Sequence, residues 1–375
     1  MPFCYSPWTN IDISPVGAIS PCCKFQTAEY PIKFNLQTNS IEEYKNSKFL
    51  TDIKQEFING EWPAGCVRCR NEEENNIESK RILDYLRWKD AYNSVELTQT
   101  EFLTASIAFG NTCNLTCITC NSHSSSRWYQ EYKDIYNIEI LHFKFYKENF
   151  VKDFIALAPK LIHIDVPGGE PFLSGIKEQQ ELLAYYINTK QSVNITLHYT
   201  TNATIFPDNT WWELWQHFKE VDIQLSIDGV NERYEYIRYP GVWSTIVDHT
   251  TRYLKKEQQL FNIRLSVSHT VSAYNIFYLD EFFDWCYDVG LPRPWLGSVH
   301  NPPHMRPTVW PVKIKNIITK KLSASQHKDV QTWSMLLKNT NDSKFFEAFK
   351  EKVQKHDQYR GLDFKKVFPE LSTFI

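Results

Sequence analysis

The pattern that most limits the fold is an alternation of short β-rich runs with helix-length segments between residues 96 and 300. Strands that alternate with helices form a parallel sheet with right-handed crossovers. The clearest helical segments cover residues 176–188 and 279–289. Six strand–helix units are enough for an α/β fold with a partial (β/α)6 TIM-like barrel, whereas a complete barrel needs eight. The six candidate strands are TASIAFG (104–110), LIHIDV (161–166), NITLHYTT (194–201), DIQLSID (222–228), NIRLSVSHTV (262–271) and WLGSVH (295–300).

The chain changes character on both sides of this region. Residues 1–95 are rich in turns and carry five cysteines, and a charged helical stretch is predicted from about residue 72 to residue 92. The C-terminal part is polar and predicts helices over roughly 311–355, with no recognisable chemistry. We therefore expect a small cysteine-rich domain at 1–95, the barrel at 96–300 and a helical extension at 301–375.

Bulk properties restrict the environment and the partners. The formal net charge is only -3, which argues against nucleic acid and against an anionic membrane surface. The N-terminus lacks the basic start and apolar stretch of a signal peptide, and no apolar run is long enough to span a bilayer. We expect a cytoplasmic protein, in which clustered cysteines indicate metal, cluster or redox chemistry rather than disulfides. Cys286 stands apart in FFDWCYDVG and is predicted to be a buried helical residue.

Three cysteines follow the first predicted strand with the spacing C-x3-C-x2-C: Cys113, Cys117 and Cys120. In parallel α/β folds, chemistry gathers at the C-terminal ends of the strands, which is where this loop lies. Thiolates select zinc, copper(I) or iron–sulfur clusters. Structural zinc needs four ligands, and no fourth cysteine or histidine follows at zinc-finger spacing. Three thiolates on a four-iron cluster leave one iron open to a small molecule.

This loop resembles the signature of the radical S-adenosylmethionine (SAM) superfamily. The resemblance implies a partial barrel of the radical SAM type and a 4Fe–4S cluster on Cys113, Cys117 and Cys120, whose open iron binds the amino and carboxylate groups of SAM. In that superfamily, an electron from the cluster breaks SAM into methionine and a 5′-deoxyadenosyl radical, which abstracts hydrogen from the substrate. The position before the last cysteine is commonly aromatic in the superfamily and is Thr119 here.

The second predicted strand is followed by VPGGEPF. Glycines allow the backbone to approach a ligand where a Cβ atom would clash, and a carboxylate accepts hydrogen bonds from an ammonium group. The segment resembles the GGEP motif of radical SAM proteins. That resemblance implies that Gly168, Gly169 and Glu170 hold the amino group of SAM.

The residues at the ends of the third and fourth predicted strands also resemble motifs of radical SAM proteins. The third strand ends in TTNA, similar to a TNG motif with Ala203 in place of glycine; Asn202 is either a cofactor-binding residue or a strand-end cap. The fourth ends in SIDG and continues to NERYEYIR, which resembles a stretch of peptide- and protein-modifying radical SAM enzymes, although their His-Asp pair is absent. This implies that Ser226 and Asp228 contact cofactor hydroxyls or substrate. Arg238 would bind the SAM carboxylate, with a surface ion pair as the alternative.

A second set of cysteines lies near the N-terminus. A glycine is separated by four residues from one of them, in the spacing G-x4-C, and a C-x2-C pair follows after a long gap. This layout resembles the first half of the SPASM auxiliary-cluster domain, known alone as a twitch domain, although such domains normally follow the barrel. The resemblance implies an auxiliary 4Fe–4S cluster; a structural zinc site is the alternative, because C-x2-C does not separate the two metals. Cys23 is a spare thiolate. The implied ligands are Cys4, Cys22, Cys66 and Cys69.

Three functions are compatible with these motifs. The first is a radical SAM enzyme that oxidises or crosslinks a peptide or protein side chain, supplied with electrons by a donor such as flavodoxin or ferredoxin. The second is an enzyme of the same class that acts on a small molecule such as a nucleotide or sugar. The third is a zinc-stabilised binding module without catalytic activity.

Overall fold

The computed structural model describes residues 2–75, 77–140 and 149–375. The strands within these ranges are β1 (Asn10–Ile13), β2 (Ala18–Ser20), β3 (Phe34–Asn35), β4 (Thr104–Ile107), β5 (His163–Val166), β6 (Thr196–Thr201), β7 (Glu220–Ser226), β8 (Ile263–Val271) and β9 (Trp295–Ser298). The α-helices are α1 (Ser6–Thr9), α2 (Ile41–Lys45), α3 (Lys48–Ile58), α4 (Val67–Glu74), α5 (Lys80–Tyr92), α6 (Trp128–Tyr136), α7 (Phe150–Leu157), α8 (Ile176–Asn188), α9 (Asn209–Trp215), α10 (Asn231–Ile237), α11 (Trp243–Gln259), α12 (Leu279–Val289), α13 (Val312–Ser323), α14 (Lys328–Asn339), α15 (Phe346–Arg360) and α16 (Phe364–Val367).

The α/β class predicted from the alternating pattern is confirmed. All six predicted strands are present as β4 to β9, and the two clearest predicted helices are α8 and α12 with the expected bounds. Parallel pairing joins β4 to β5, β5 to β6, and β8 to β9. Cys286 is buried on α12, as predicted.

The N-terminal region is more regular than its composition indicates. Strands β1, β2 and β3 were not predicted, because they are short and lie among turn-forming residues. The charged helical stretch predicted from about residue 72 to residue 92 is present as parts of two helices: α4, which ends at Glu74, and α5, which begins at Lys80. Helix α5 begins after Ser79 because the Ser79 side chain accepts a hydrogen bond from the backbone N–H of Ile82 and so caps the helix.

The chain divides into two compact units. The first contains Met1–Thr112, His142–Tyr199 and Asp208–Val221, and its strands follow the order β3-β2-β1-β4-β5-β6. The second contains Cys113–Leu141, Thr200–Pro207 and Asp222–Ile375, with strand order β7-β8-β9. The domain boundaries expected near residues 95 and 300 stay a prediction.

In the first unit, the cysteine-rich segment is continuous with the parallel sheet. Strand β1 pairs in parallel with β4, with Asn10 opposite Thr104 and Ile13 opposite Ile107. Strand β2 then turns back and pairs antiparallel with β1. Every residue of β4 is buried, as is typical of a strand with a neighbour on each side and packing on both faces.

In the second unit, the C-terminal helices pack on the segment that follows β8. The ring of Tyr274 lies 5.0 Å from that of Phe349 on α15. Trp310 is completely buried, and its indole N–H donates to the backbone carbonyl of Ala273 at 3.0 Å. Burying aromatic side chains contributes much of the stability of a protein core, so these contacts make the extension a part of this unit.

We expect Phe349→Ala to lower the free energy of unfolding by about 3–5 kcal/mol, because it removes a fully buried ring and leaves a cavity. The matched control is Tyr287→Ala on α12, whose ring is 82% exposed and whose loss should change stability by less than about 0.5 kcal/mol. Denaturant titration of both variants measures the difference. Equal effects of the two substitutions would contradict the packing described for the C-terminal extension.

Candidate functional site

The loop that carries Cys113, Cys117 and Cys120 is held in place by backbone hydrogen bonds. The N–H of Thr116 donates to the carbonyl of Tyr239, and the N–H of Ile118 donates to the carbonyl of Ile237, both at 2.7 Å. These bonds fix the loop along the segment that contains Arg238. A tight turn follows, in which the N–H of Cys120 donates to the Cys117 carbonyl at 2.9 Å.

The three thiols form one electrostatic group. Burial raises the pKa of Cys117 strongly; the Arg238 guanidinium opposes this increase, and the sulfurs of Cys120 and Cys113 add to it. Burial also raises the pKa of Cys120 to about 11, with a further contribution from Cys113. All three cysteines are partly buried. The structure therefore brings the three predicted thiols together beside a cationic side chain.

Asn202 supports this loop. Its Nδ2 donates to Oδ1 of Asn114 at 3.0 Å and lies 3.7 Å from the sulfur of Cys113, while its Oδ1 accepts from the backbone N–H of Thr204 at 2.9 Å. The bond from the Thr204 N–H caps the end of strand β6. Ala203 has φ +61°, a conformation that favours glycine, which is the residue in the motif that TTNA resembles.

Arg238 and Asp228 were predicted as separate cofactor contacts, and the structure pairs them with each other. Nη2 of Arg238 lies 2.8 Å from Oδ2 of Asp228, and both side chains are buried, so the pair is not on the surface. Burial alone would lower the pKa of Arg238, but the Asp228 carboxylate and the Cys117 sulfur outweigh it and raise the pKa. Among the described residues, the Nε of Arg238 has no hydrogen-bond partner, so this buried donor is available to a ligand.

Two further residues support this pair. Asn275 donates through Nδ2 to the backbone carbonyls of Asp228 at 3.1 Å and Thr270 at 2.9 Å. His269 is buried, with its Nδ1 3.0 Å from the carbonyl of Ile227, and burial lowers its pKa to about 4. Only the register of neighbouring strands reveals these contacts. The hydroxyl of Ser226 lies 3.3 Å from that of Ser268.

In the first unit, the Gly-Gly-Glu turn packs against the end of the loop after β4. A Cβ atom on Gly169 would lie 2.3 Å from the Thr112 carbonyl oxygen, and Gly168 has φ +141°. The backbone N–H of Glu170 donates to the same Thr112 carbonyl at 2.8 Å. Glu170 is fully buried, and its Oε1 accepts from the N–H of Phe172 at 3.3 Å. The structure thus explains Gly169 by an approach of protein backbone, where sequence reasoning expected an approach of ligand.

The N-terminal cysteines are brought together by the β1–β2 hairpin. Gly17 has φ +78° and lies in the hairpin turn, where its N–H donates to the Ser14 carbonyl at 2.9 Å. The glycine of the cysteine pattern is therefore needed to reverse the chain between Cys4 and Cys22. A salt bridge of 2.8 Å between Lys24 and Glu72 then ties the end of the hairpin to α4.

The four predicted thiols of this set also influence one another. Burial raises the pKa of Cys22 and of Cys66, and the Cys4 sulfur raises both further. Cys69 contributes in the same direction to Cys4 and Cys66. Cys4 therefore lies near the other three thiols of the predicted ligand set.

The side chain of Cys23 lies among charged and polar side chains rather than among the predicted ligand thiols. It lines a cavity of about 70 Å³ together with Lys80, Asp84, His163 and other polar residues. Burial raises its pKa to about 11, and Lys80 and Asp12 are the charges that act on it most strongly. This placement favours Cys22 over Cys23 as the fourth thiol of the N-terminal set.

In residues 2–75, 77–140 and 149–375, no three Cys, His, Asp or Glu side chains converge closely enough to hold a single metal ion. Over the same residues, none of the helices has the length and apolar character required to cross a bilayer.

Comparison with known proteins identifies the N-terminal region. Residues 4–70 match the family model of SPASM, an iron–sulfur cluster-binding domain. The matched range contains Cys4, Cys22, Cys66 and Cys69, and it confirms the SPASM-type domain predicted at this end of the chain. No curated protein matches the sequence.

Several solved structures are similar to the chain. They include anSMEcpe with bound AdoMet (18% identity, TM-score 0.40, 53% of this chain and 52% of that chain). Another is Streptococcus suis SuiB bound to S-adenosylmethionine (13% identity, TM-score 0.38, 78% of this chain and 62% of that chain). A third is the radical S-adenosylmethionine methyltransferase TsrM from Kitasatospora setae (12% identity, TM-score 0.37, 52% of this chain and 35% of that chain). The match spans about half the length of the anSMEcpe chain.

We expect Gly169→Ala to lower the free energy of unfolding by about 1–3 kcal/mol, since the new Cβ atom forces the Thr112 backbone to move. The matched control is Gly297→Ala, whose Cβ atom would meet only the ring of Trp295, which is 65% exposed and can move aside. Denaturant titration compares the two variants. A Gly169 variant as stable as the Gly297 variant would contradict the close approach of the two loops.

Proposed function

We propose that this protein is a radical SAM enzyme in which Cys113, Cys117 and Cys120 hold a 4Fe–4S cluster, and that it modifies a peptide or protein side chain. The observation that carries the proposal is the mutual electrostatic influence of three thiols in a loop that backbone hydrogen bonds fix alongside Arg238. Thiolates are the ligands that iron–sulfur clusters use, and three of them leave one iron open for SAM.

The donor set fits a cluster better than a single ion. Thiolates on a four-iron cluster each bind a different iron, so they stand farther apart than the ligands of one metal ion. The sulfurs of Cys113 and Cys120 both influence the thiol of Cys117, as expected of neighbouring ligands of one cluster. The high pKa values of the metal-free thiols fall once a metal binds, because binding requires the thiolate.

When bound, such a cluster supplies the electron that cleaves SAM to a 5′-deoxyadenosyl radical, which takes hydrogen from the substrate. The protein has to bind and orient SAM. We assign the SAM carboxylate to Arg238, supported by its unpartnered Nε in a buried site. Asp228 holds the guanidinium in place by the 2.8 Å ion pair. On their motifs alone, we assign the SAM amino group to Gly168, Gly169 and Glu170, and cofactor contacts to Ser226 and Asn202.

We further propose an auxiliary 4Fe–4S cluster on Cys4, Cys22, Cys66 and Cys69. The SPASM match over residues 4–70 and the mutual influence of these thiols support it. Four thiolates close a cluster completely, which suits electron transfer rather than substrate activation. The SIDG stretch and this domain together favour a peptide or protein substrate, with flavodoxin or ferredoxin as the electron donor.

Substitution of Cys113, Cys117 or Cys120 by alanine should abolish SAM cleavage, because each variant loses a ligand of the SAM-binding cluster. The measurement is 5′-deoxyadenosine release by the anaerobically reconstituted, reduced protein. The control is Cys286→Ala, which removes a buried thiol on α12 and should retain cleavage. Undiminished release from the Cys117 variant would overturn the proposed function.

Cys66→Ala and Cys69→Ala should retain part of the SAM cleavage but prevent completion of the reaction on substrate. Their iron content should fall from about eight to about four per chain, since one of two four-iron clusters is lost. Cys23→Ala is the matched control and should keep both clusters, because Cys23 lies with Lys80 and Asp84. Zinc without sulfide in the reconstituted protein would refute the auxiliary cluster.

The substrate class has a separate test. We expect a short peptide encoded beside the gene to increase 5′-deoxyadenosine release and to lose hydrogen or gain a crosslink, as mass spectrometry of the peptide would show. A nucleotide or sugar that stimulates release, with no effect of the peptide, would contradict the peptide assignment while leaving the radical chemistry intact.

A further inference from the structure

The last residue of α15 reaches the cysteine loop. Arg360 is buried, and its guanidinium binds the buried Glu131 of α6, with Nη2 at 2.8 Å and Nε at 3.2 Å from the same carboxylate oxygen. Burial would raise the pKa of Glu131, but its hydrogen bond to His356 and the charge of Arg360 outweigh this and lower the pKa. Both side chains are therefore ionised and removed from water. Such a buried ion pair is favourable only when its hydrogen bonds have good geometry.

The same guanidinium makes a third contact, to the loop itself. Nη2 of Arg360 donates to the backbone carbonyl of Thr116 at 2.7 Å. Thr116 lies between Cys113 and Cys117, and its own N–H is bonded to the Tyr239 carbonyl. The loop backbone is thus held from two directions at the residue next to Cys117.

Aromatic side chains fix the position of this guanidinium. Its centre lies 4.9 Å from the ring centroid of Tyr239 and 5.3 Å from that of Trp128. His356, one turn earlier on α15, lies 3.4 Å from the Glu131 carboxylate and accepts or donates a hydrogen bond with Tyr136 at 3.1 Å. Packing and polar contacts therefore leave the guanidinium little freedom to move.

A planar guanidinium binds a carboxylate and a carbonyl at the same time, whereas an ammonium group is a point charge without this fork. An ion pair that only stabilised the fold would need no bond to the loop, and a buried pair often adds little to stability. The directional bond to Thr116 is the feature that stability alone leaves unexplained.

We infer that Arg360 is a positioning residue for the SAM-binding cluster: it sets the backbone between Cys113 and Cys117, so that the C-terminal helix α15 is an essential part of the cluster site. This inference rests on the proposed function. It gives the C-terminal extension, which carries no recognisable motif, a role in cofactor binding.

The test uses the full-length protein with reconstituted clusters. Arg360→Met removes the positive charge and the hydrogen-bond donors. Arg360→Lys keeps the charge but loses the planar arrangement of N–H donors. The matched control is Arg306→Met, which breaks another ion pair of the C-terminal extension, to Asp342 at 3.1 Å; the Arg306 guanidinium donates to Asp342 and to the His300 carbonyl rather than to the cysteine loop. Thermal unfolding of the metal-free variants measures the purely structural effect of each change.

The decisive measurement is the change that SAM produces in the electron paramagnetic resonance spectrum of the reduced protein, because only a cluster with an open iron responds to SAM. We expect Arg360→Lys to need about tenfold more SAM for the half-maximal change, as the loss of one charge-assisted hydrogen bond predicts. Arg360→Met should lose most of the response, whereas Arg306→Met should match the wild type even where it unfolds at a lower temperature.

Wild-type SAM affinity in Arg360→Lys would overturn the inference, as would an equal loss of response in Arg306→Met. If Arg360→Met does not fold, Arg360→Lys decides the question, since it retains the charge opposite Glu131. Absence of any SAM response in the wild-type protein would instead refute the proposed function, so the two failures are distinguishable.

Discussion

The candidate site depends on the backbone pairing of the cysteine loop with residues 237–239. Two hydrogen bonds of 2.7 Å hold the loop on both sides of Cys117, and they place Arg238 beside the thiols. A loop that carries cluster ligands has to keep its thiols in place before metal arrives, because thiolates brought together without a cation repel one another. Here the neutral, high-pKa thiols and the backbone bonds achieve this together.

Much of the fold was predictable because the alternating pattern is a property of local sequence. Strands β7 and β8 alternate buried and more exposed residues, and the helices α8 and α12 each bury one face, so a single stretch of sequence is sufficient to find them. Strands β1 to β3 were not predicted from the sequence, because short strands among turns have no such period and their pairing partners lie elsewhere in the chain. Strand β1, for example, is paired with β4, more than 90 residues later.

The site was predictable in its residue types and less so in its contacts. The cysteine spacing predicts that Cys113, Cys117 and Cys120 act together as cluster ligands, and this stays a prediction; the structure adds that their sulfurs influence one another electrostatically. The pairing of Arg238 with Asp228 and the contact of Arg360 with Thr116 required the structure. The latter joins residues separated by 244 positions, and no local pattern distinguishes Arg360 from a solvent-exposed helical arginine.

The parallel pairing of β1 with β4 means that the N-terminal segment is not a detachable module. A deletion that began the chain after residue 95 would strip β4 of one neighbour and leave unpaired N–H and C=O groups along the edge of a strand that is buried in the full chain. Such a truncated protein would tend to self-associate through that edge. Grafting this cysteine-rich segment onto another barrel would likewise require an open strand edge in the recipient, so its evolutionary exchange is restricted by backbone geometry as well as by chemistry.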